Sequence, residues 1–260
     1  NLLFDKILVI LSGITSDFII YESEYSRKLL NKIFQKTKLK LIIAGKNEFF
    51  TEVNENILSQ NKYIDLSDDI LCVSNLYPNK KIDNLIRAYA NIKMEIENNV
   101  KLYIVGNPNF ENYFNYLVKI VKDLGLDGDV IFTGEVNKNE LKKFYSTCRL
   151  FVYPSLRESA GYILIEAMSC GSPILASNRT AIPYTCAEAG IYFDPDNIEQ
   201  LSKKMKLMMN KDFNIIDRKN ISMHRVKRMP SYKEKTSIFL DIIDNSFRPH
   251  NIKISKEPVH

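Results

Sequence analysis

Residues 70–210 repeat one pattern: a short apolar run, a turn, then a stretch with apolar residues at helical spacing. "ILCVSNL" (70–76), "VKLYIVG" (100–106), "DVIFTG" (129–134), "RLFVYPS" (149–155), "PILAS" (173–177) and "IYF" (191–193) read as strands. Between them, Ile82, Leu85, Ile86, Tyr89 and Ile92 keep a 3.6-residue period, and "FENYFNYLVKIVKDLG", "NKNELKKFYSTC", "GYILIEAMSCG", "IPYTCAEAG" and "DNIEQLSKKMKLMMN" read as helices. Asn137 followed by Glu140 has capping-box spacing, and Gly171 with Pro173 beyond it marks a helix end. Strands joined by helices pair in parallel, so the expected fold is α/β, a doubly wound Rossmann-like parallel sheet with helices on both faces.

The flanks are less regular. Residues 3–14 have helical spacing, although "KILVIL" also suits a strand. "DFIIYES", "SEYSRKLLNKIFQK" and "LKLIIAG" form one βαβ unit, too small to stand alone. Residues 49–68 are polar and poorly patterned, as a linker would be. "SYKEKTSIFLDIIDNSF" reads as a last helix and residues 247–260 as a frayed tail.

Composition narrows the functional classes. With 36 basic and 31 acidic residues in 260, the excess of +5 is small and dispersed, so nucleic acid is not an expected partner. The basic clusters at 36–40 and 224–235 suit solvated faces or contact with an anionic membrane surface. Cys72, Cys148, Cys170 and Cys186 sit in apolar stretches with no C-x-x-C pairing, which suits buried thiols in a reducing compartment. The only histidines are His224, His250 and His260, so no histidine metal site is expected. No apolar run reaches the roughly 18 residues that span a bilayer.

In a doubly wound sheet, ligands bind beyond the carboxyl ends of the strands, at helix N-termini. Two carboxylates stand out there. Glu166 lies among Ile163, Leu164, Ile165, Ala167 and Met168, and a buried unpaired carboxylate is costly, so it must face a cleft or meet a donor. Glu158 stands eight positions earlier, at the mouth of the turn. Gly161 permits close backbone approach, and the N–H groups of Ala160, Gly161, Tyr162 and Ile163 at the helix start suit a phosphate. Two carboxylates beside a phosphate site suit hydroxyl-rich groups, a sugar and a ribose. The plainer alternative is that Glu166 pairs with a Lys or Arg and Glu158 lies on the surface. Lys80 and Lys81, in "SNLYPNKK", project from the loop after the first of these strands, either toward a diphosphate or into solvent. Arg157 suits the same diphosphate or a pair with Glu158. Gly106 and "FTGEV" offer further strand-end glycines. Neither the dinucleotide fingerprint nor a P-loop is present.

The stretch "ESAGYILIEAMSCGSPILAS", with "VSNLYPNKKIDNLIRAY", "LYIVGNPN" and "VIFTGEVNKNELKKFYSTCRLFVYPS", resembles the C-terminal half of retaining GT-B glycosyltransferases, glycosyltransferase family 4. It matches that family's E-x(7)-E motif and the E-A-M-x-x-G-x-P that follows. "DFIIYESEYSRKLL" and "LKLIIAGKN" resemble the end of the family's N-terminal domain. The resemblance implies a nucleotide-diphosphate sugar as substrate and a carbohydrate or lipid-linked acceptor. Glu166 would hold the ribose. Glu158 would contact the donor sugar and stabilise charge near its anomeric carbon. Lys80 would bind the diphosphate, and Ala160, Gly161 and Tyr162 would touch sugar and diphosphate through their backbones. Val136 would line the base pocket. No metal and no other cofactor is expected. The reaction would retain anomeric configuration, in the cytoplasm or peripherally at the inner face of the membrane.

Two departures stand out. Ser74-Asn75 occupies the family's Gly-Arg position, leaving Lys81 or Arg157 to replace the missing cation. Family members also run well beyond 260 residues. The expected organisation is therefore a remnant of the acceptor-side domain (1–48), a linker (49–68), a nucleotide-sugar domain (69–246) and a tail (247–260), completed by an N-terminal domain or partner subunit. A catalytically silent nucleotide-sugar-binding subunit is the alternative. A sugar-nucleotide epimerase of the same architecture is less attractive, because no histidine precedes His224.

Overall fold

The computed structural model describes residues 10–34, 38–50, 68–96 and 100–247. Residues 10–15 are helical, as expected for this segment, and residues 1–9 lie outside the described part. The small βαβ unit forms as β1 (Ile19–Tyr21), α1 (Glu24–Leu30) and β2 (Leu39–Leu41), with β1 and β2 parallel. Ser23 caps α1, its hydroxyl accepting the Ser26 N–H at 3.2 Å.

The main alternation then follows in order: β3 (Ile70–Val73), α2 (Ile82–Ile92), β4 (Leu102–Val105), α3 (Glu111–Asp123), β5 (Val130–Gly134), α4 (Lys138–Thr147), β6 (Leu150–Tyr153), α5 (Tyr162–Ser169), β7 (Ile174–Ser177), α6 (Ile182–Cys186), β8 (Gly190–Phe193) and α7 (Ile198–Met209). Two more helices close the chain, α8 (Ile215–Lys227) and α9 (Tyr232–Phe247). Six strands form one parallel sheet in the order β5-β4-β3-β6-β7-β8. The chain builds outward from β3 to β5, returns, and adds β6 on the other side of β3. The order reverses between β3 and β6, so a crevice opens at their carboxyl ends.

Both faces of the sheet are covered. Ile70, Cys72, Leu150 and Val152 meet α2, α3 and α7 on one side; Leu71, Val73, Phe151 and Tyr153 meet α4, α5, α6 and α8 on the other. Strands buried on both faces lose the polar alternation of a half-exposed strand, which is why β3, β6 and β7 read as continuous apolar runs. All four cysteines are buried free thiols, pushed up to about 12 by burial.

Local chemistry sets the helix ends. At α4, Asn137 Oδ1 accepts the Glu140 N–H at 3.0 Å and Glu140 Oε2 accepts the Asn137 N–H at 3.2 Å, the expected capping box. At the end of α5, Gly171 is left-handed (φ 78°), and the N–H groups of Gly171 and Ser172 bond back to Met168 and Ala167.

Two features go beyond these expectations. The polar sequence between residues 211 and 227 hides α8, which packs against α5 through Val226 and a buried Ser222 whose hydroxyl donates to the Ser172 carbonyl at 2.8 Å. The start of the expected linker is also docked. Phe50 is buried against Tyr145, its ring 5.9 Å away, and Lys142 Nζ donates to the Phe49 carbonyl at 2.7 Å. The rest of the linker, like the tail from residue 248, lies outside the described residues.

Gly106 ends β4 with φ 146°, and an added Cβ would lie 2.0 Å from the Ser74 carbonyl oxygen. A backbone atom in the neighbouring loop cannot yield as a flexible side chain can. Gly106→Ala is expected to cost more than about 2 kcal/mol of stability, measured by chemical denaturation. A loss smaller than about half that would mean that the ends of β3 and β4 separate freely.

Candidate functional site

Three loops converge where the strand order reverses. The loop after β3 turns at Pro78–Lys80 and brings in Lys80; the loop after β6 brings in Glu158; the turn after β7 brings in Thr180. Lys80 Nζ lies 2.5 Å from Glu158 Oε1, with the two side chains only 17% and 16% exposed. The same oxygen accepts the Tyr153 hydroxyl at 2.6 Å and the Ser155 hydroxyl at 2.8 Å. Lys80 Nζ also stands 5.6 Å from the centre of the Tyr153 ring. The loops are tied through their backbones too. Leu156 N–H donates to the Asn79 carbonyl at 2.8 Å, and Glu158 N–H donates to Thr180 Oγ1 at 2.9 Å. Glu158 is therefore an anchored group, and the plain-surface alternative does not hold.

Glu166 is half-buried on α5 and, among the described residues, has no Lys or Arg at ion-pair distance. Its donor is the Tyr145 hydroxyl, at a long 3.4 Å. Burial raises the Glu166 carboxyl above its ordinary 4.5, opposed by Tyr145 and by the charge of Lys138. Burial, reinforced by the neighbouring carboxylate, pushes both phenols well above their usual range, so Tyr145 and Tyr153 stay protonated as donors to their glutamates.

Between Glu158 and Glu166, Gly161 takes a left-handed conformation (φ 70°) and starts α5. Among the described residues the N–H groups of Gly161, Tyr162 and Ile163 have no acceptor, so the helix start presents bare donors and the positive end of its dipole. Ala160 is buried, its carbonyl accepting the Thr185 hydroxyl at 2.6 Å. An open cleft of about 660 Å³ lies over the loop, lined by Leu156, Arg157, Glu158, Ser159 and Thr180 on one wall and by Tyr25, Ser26 and Leu29 of α1 on the other. A carboxylate–ammonium pair at the cleft wall, with a bare helix start and a second, partly desolvated carboxylate further along α5, can receive a phosphorylated polyol. Among the described residues no cluster of His, Cys, Asp and Glu could hold a metal ion.

A family profile described as glycosyl transferases group 1 matches residues 54–225, well over half of the chain. The chain belongs to the group 1 glycosyl transferases. It is 33% identical to O-antigen chain mannosyltransferase B of Escherichia coli, over 51% of this chain and 34% of that one. It is 26% identical to a GDP-mannose-dependent phosphatidylinositol monomannoside mannosyltransferase of Mycobacterium tuberculosis, over 55% of this chain and 39% of that one. The fold is that of Anabaena HepE, solved in complex with UDP and glucose, with a TM-score of 0.77 at 18% identity over 92% of this chain and 65% of the other. The chain thus spans about a third of the length of these curated relatives.

In this glycosyl transferase the other residues singled out by sequence fall in different places. Lys81, left-handed at φ 51°, turns away from Lys80 and pairs with Asp196 at 2.8 Å, which raises its pKa. Arg157 is exposed on the cleft wall. Val136 is half-buried against the core, and Gly106 meets the Ser74 backbone. The Tyr162 side chain hydrogen-bonds with Glu22 and Lys235, and its backbone N–H is among the bare donors at the start of α5. Tyr153, Ser155 and Thr180 were not expected as partners of Glu158. Tyr153 and Ser155 stand only five and three positions before Glu158 and meet it when their own loop folds back, whereas Thr180 comes from the turn after β7.

A carboxyl whose folded pKa is raised favours the folded state below its ordinary 4.5 and loses that contribution as pH rises through the folded value. Glu166→Gln removes the penalty on the charged form. The variant is expected to be at least as stable as the wild type at pH 7, with the gap narrowing as pH falls through the carboxylate range in matched thermal melts. A gap that widens toward low pH would contradict this assignment.

Proposed function

We propose that this chain carries the donor-binding part of a retaining hexosyltransferase of glycosyltransferase family 4. It would transfer a sugar, mannose first among candidates, from a nucleoside diphosphate to a carbohydrate or lipid-linked acceptor, in envelope polysaccharide or glycolipid synthesis. The observation that carries this reading is the Lys80–Glu158 pair at the switch point, beside the bare N–H groups of α5. The two mannosyltransferase relatives support mannose, and the second, GDP-mannose-dependent, supports guanosine diphosphate as its carrier.

In this reading the diphosphate lies on the N–H groups of Gly161, Tyr162 and Ile163, and the ribose takes the free lone pairs of Glu166. The sugar lies against Glu158. As the bond from the anomeric carbon to the diphosphate breaks, positive charge grows on the ring beside Glu158 and negative charge grows beside Lys80. A preorganised opposite-charge pair stabilises both without reorganisation. The acceptor hydroxyl then bonds through its oxygen to the same face of the anomeric carbon and gives its proton to the departing diphosphate, so the configuration is retained. Neutralisation falls to protein cations and the helix dipole, with no metal called for. Lys81 is engaged by Asp196, so Arg157 is the better replacement for the cation absent at Asn75.

The acceptor wall would be completed by an N-terminal domain or partner subunit, to which the remnant at residues 1–48 belongs. The reading places the enzyme in the cytoplasm, at the inner face of the membrane. Among the described residues no helix is long and apolar enough to cross a membrane.

Calorimetry with GDP-mannose, UDP-glucose and an ADP-sugar tests the reading, with GDP-mannose expected to bind tightest. Folded protein that binds none of them would overturn it. Glu166→Ala is expected to weaken nucleotide binding about 10- to 100-fold, the worth of hydrogen bonds to a charged group. Arg157→Ala is expected to weaken GDP binding several-fold at low salt and less at about 1 M, because an exposed cation is screened. An unchanged GDP affinity at low salt would remove Arg157 from the site.

A further inference from the structure

Thr180 sits in the turn after β7 with φ 51°. A left-handed backbone is a real outlier for a β-branched residue, and such strain persists only where the surroundings hold it. Here Thr180 Oγ1 accepts the Glu158 N–H at 2.9 Å, and the Ala181 N–H points back at the Glu158 carbonyl at 3.4 Å. Its neighbour Arg179 is pinned on Asp194 at 2.8 Å and Asp196 at 3.5 Å, and Asp196 also holds Lys81. Lys81 is the residue after Lys80 and is itself left-handed. Two of the three non-glycine residues with positive φ among the described residues thus stand on either side of the Lys80–Glu158 pair.

We propose that Thr180 is a positioning residue that clamps the backbone of Glu158, so that the carboxylate stays against the donor sugar when Lys80 turns to the diphosphate. The inference rests on the donor-site reading above. The Glu158 loop has no regular secondary structure, and one of the three groups on Oε1 is Lys80 itself. Once Lys80 is shared with a phosphate, the hydroxyls and the Thr180 clamp carry the alignment. Thr180 touches neither charge; it acts through the Glu158 main chain.

Thr180→Val keeps the branched shape and loses the acceptor; Thr180→Ser keeps the acceptor. Two readouts apply: the ratio of GDP-mannose to GDP affinity by calorimetry, and hydrogen exchange of the Glu158 amide by NMR in the free protein. Thr180→Val is expected to lower the affinity ratio about tenfold, toward that of Glu158→Gln, with GDP affinity held within about twofold. The Glu158 amide should exchange about tenfold faster or more. Thr180→Ser should match the wild type in both. A GDP affinity that falls as far as that for GDP-mannose would mark a merely structural residue and overturn the proposal. Unchanged Glu158 exchange in Thr180→Val would overturn the clamp by itself. Wild-type protein that binds no nucleotide sugar would overturn the donor-site reading, leaving the exchange result to decide the clamp.

Discussion

The ion pair between Lys80 and Glu158 depends on topology before chemistry. Its residues are far apart in the chain, yet β3 and β6 are hydrogen-bonded neighbours because the strand order reverses between them. Each loop starts at the same end of an adjacent strand, so their tips meet. Two charges held this far from water carry a desolvation penalty, which their attraction offsets only when other hydrogen bonds complete the carboxylate. Tyr153 and Ser155 supply them on the same oxygen that Lys80 contacts. Removing either charge would leave the other buried and uncompensated. In the proposed reading a donor ligand would avoid that penalty by offering a phosphate to one charge and a sugar to the other.

Much of this was legible in the sequence, for a reason visible element by element. Sheet class, the α4 capping box and the glycine end of α5 follow from contacts within a few residues, and periodicity and cap chemistry report such contacts. The two glutamates were legible because carboxylates beside an apolar run demand an explanation. What was not legible depends on distant partners or on one backbone angle. The helix α8 reads as a polar stretch because, beside Val226, it buries Ser222 toward α5, satisfied by a carbonyl fifty positions away. Lys80 and Lys81 look equivalent in "NKK"; the left-handed conformation of Lys81 sends one to Glu158 and the other to Asp196. Tyr153 reads as an ordinary strand aromatic, and its role as a donor appears only when the loop after it folds back over its hydroxyl.

The first residues and the last helix meet at the site's edge. Lys235 of α9 and Glu22, just after β1, both contact the hydroxyl of Tyr162, the first residue of α5. Two kinds of force act there. The side chains of Lys235 and Glu22 are 24% and 31% exposed, and partly exposed ion pairs contribute at most about 1 kcal/mol. Phe50 and Ala44 are buried in the same core as α4 and α5, and full burial of one large apolar side chain gives roughly 1.5–3 kcal/mol. Apolar burial therefore attaches the first segment to the sheet domain, and the polar triad sets its angle. Because the Tyr162 backbone N–H is one of the bare donors at the start of α5, a change of that angle would, in the proposed reading, be felt at the phosphate position within a single residue. The α1 wall of the cleft, with Tyr25 and Leu29, follows Glu22 directly in the chain. In the proposed reading, whatever seats an acceptor against that wall would act on the same residue that faces the leaving group.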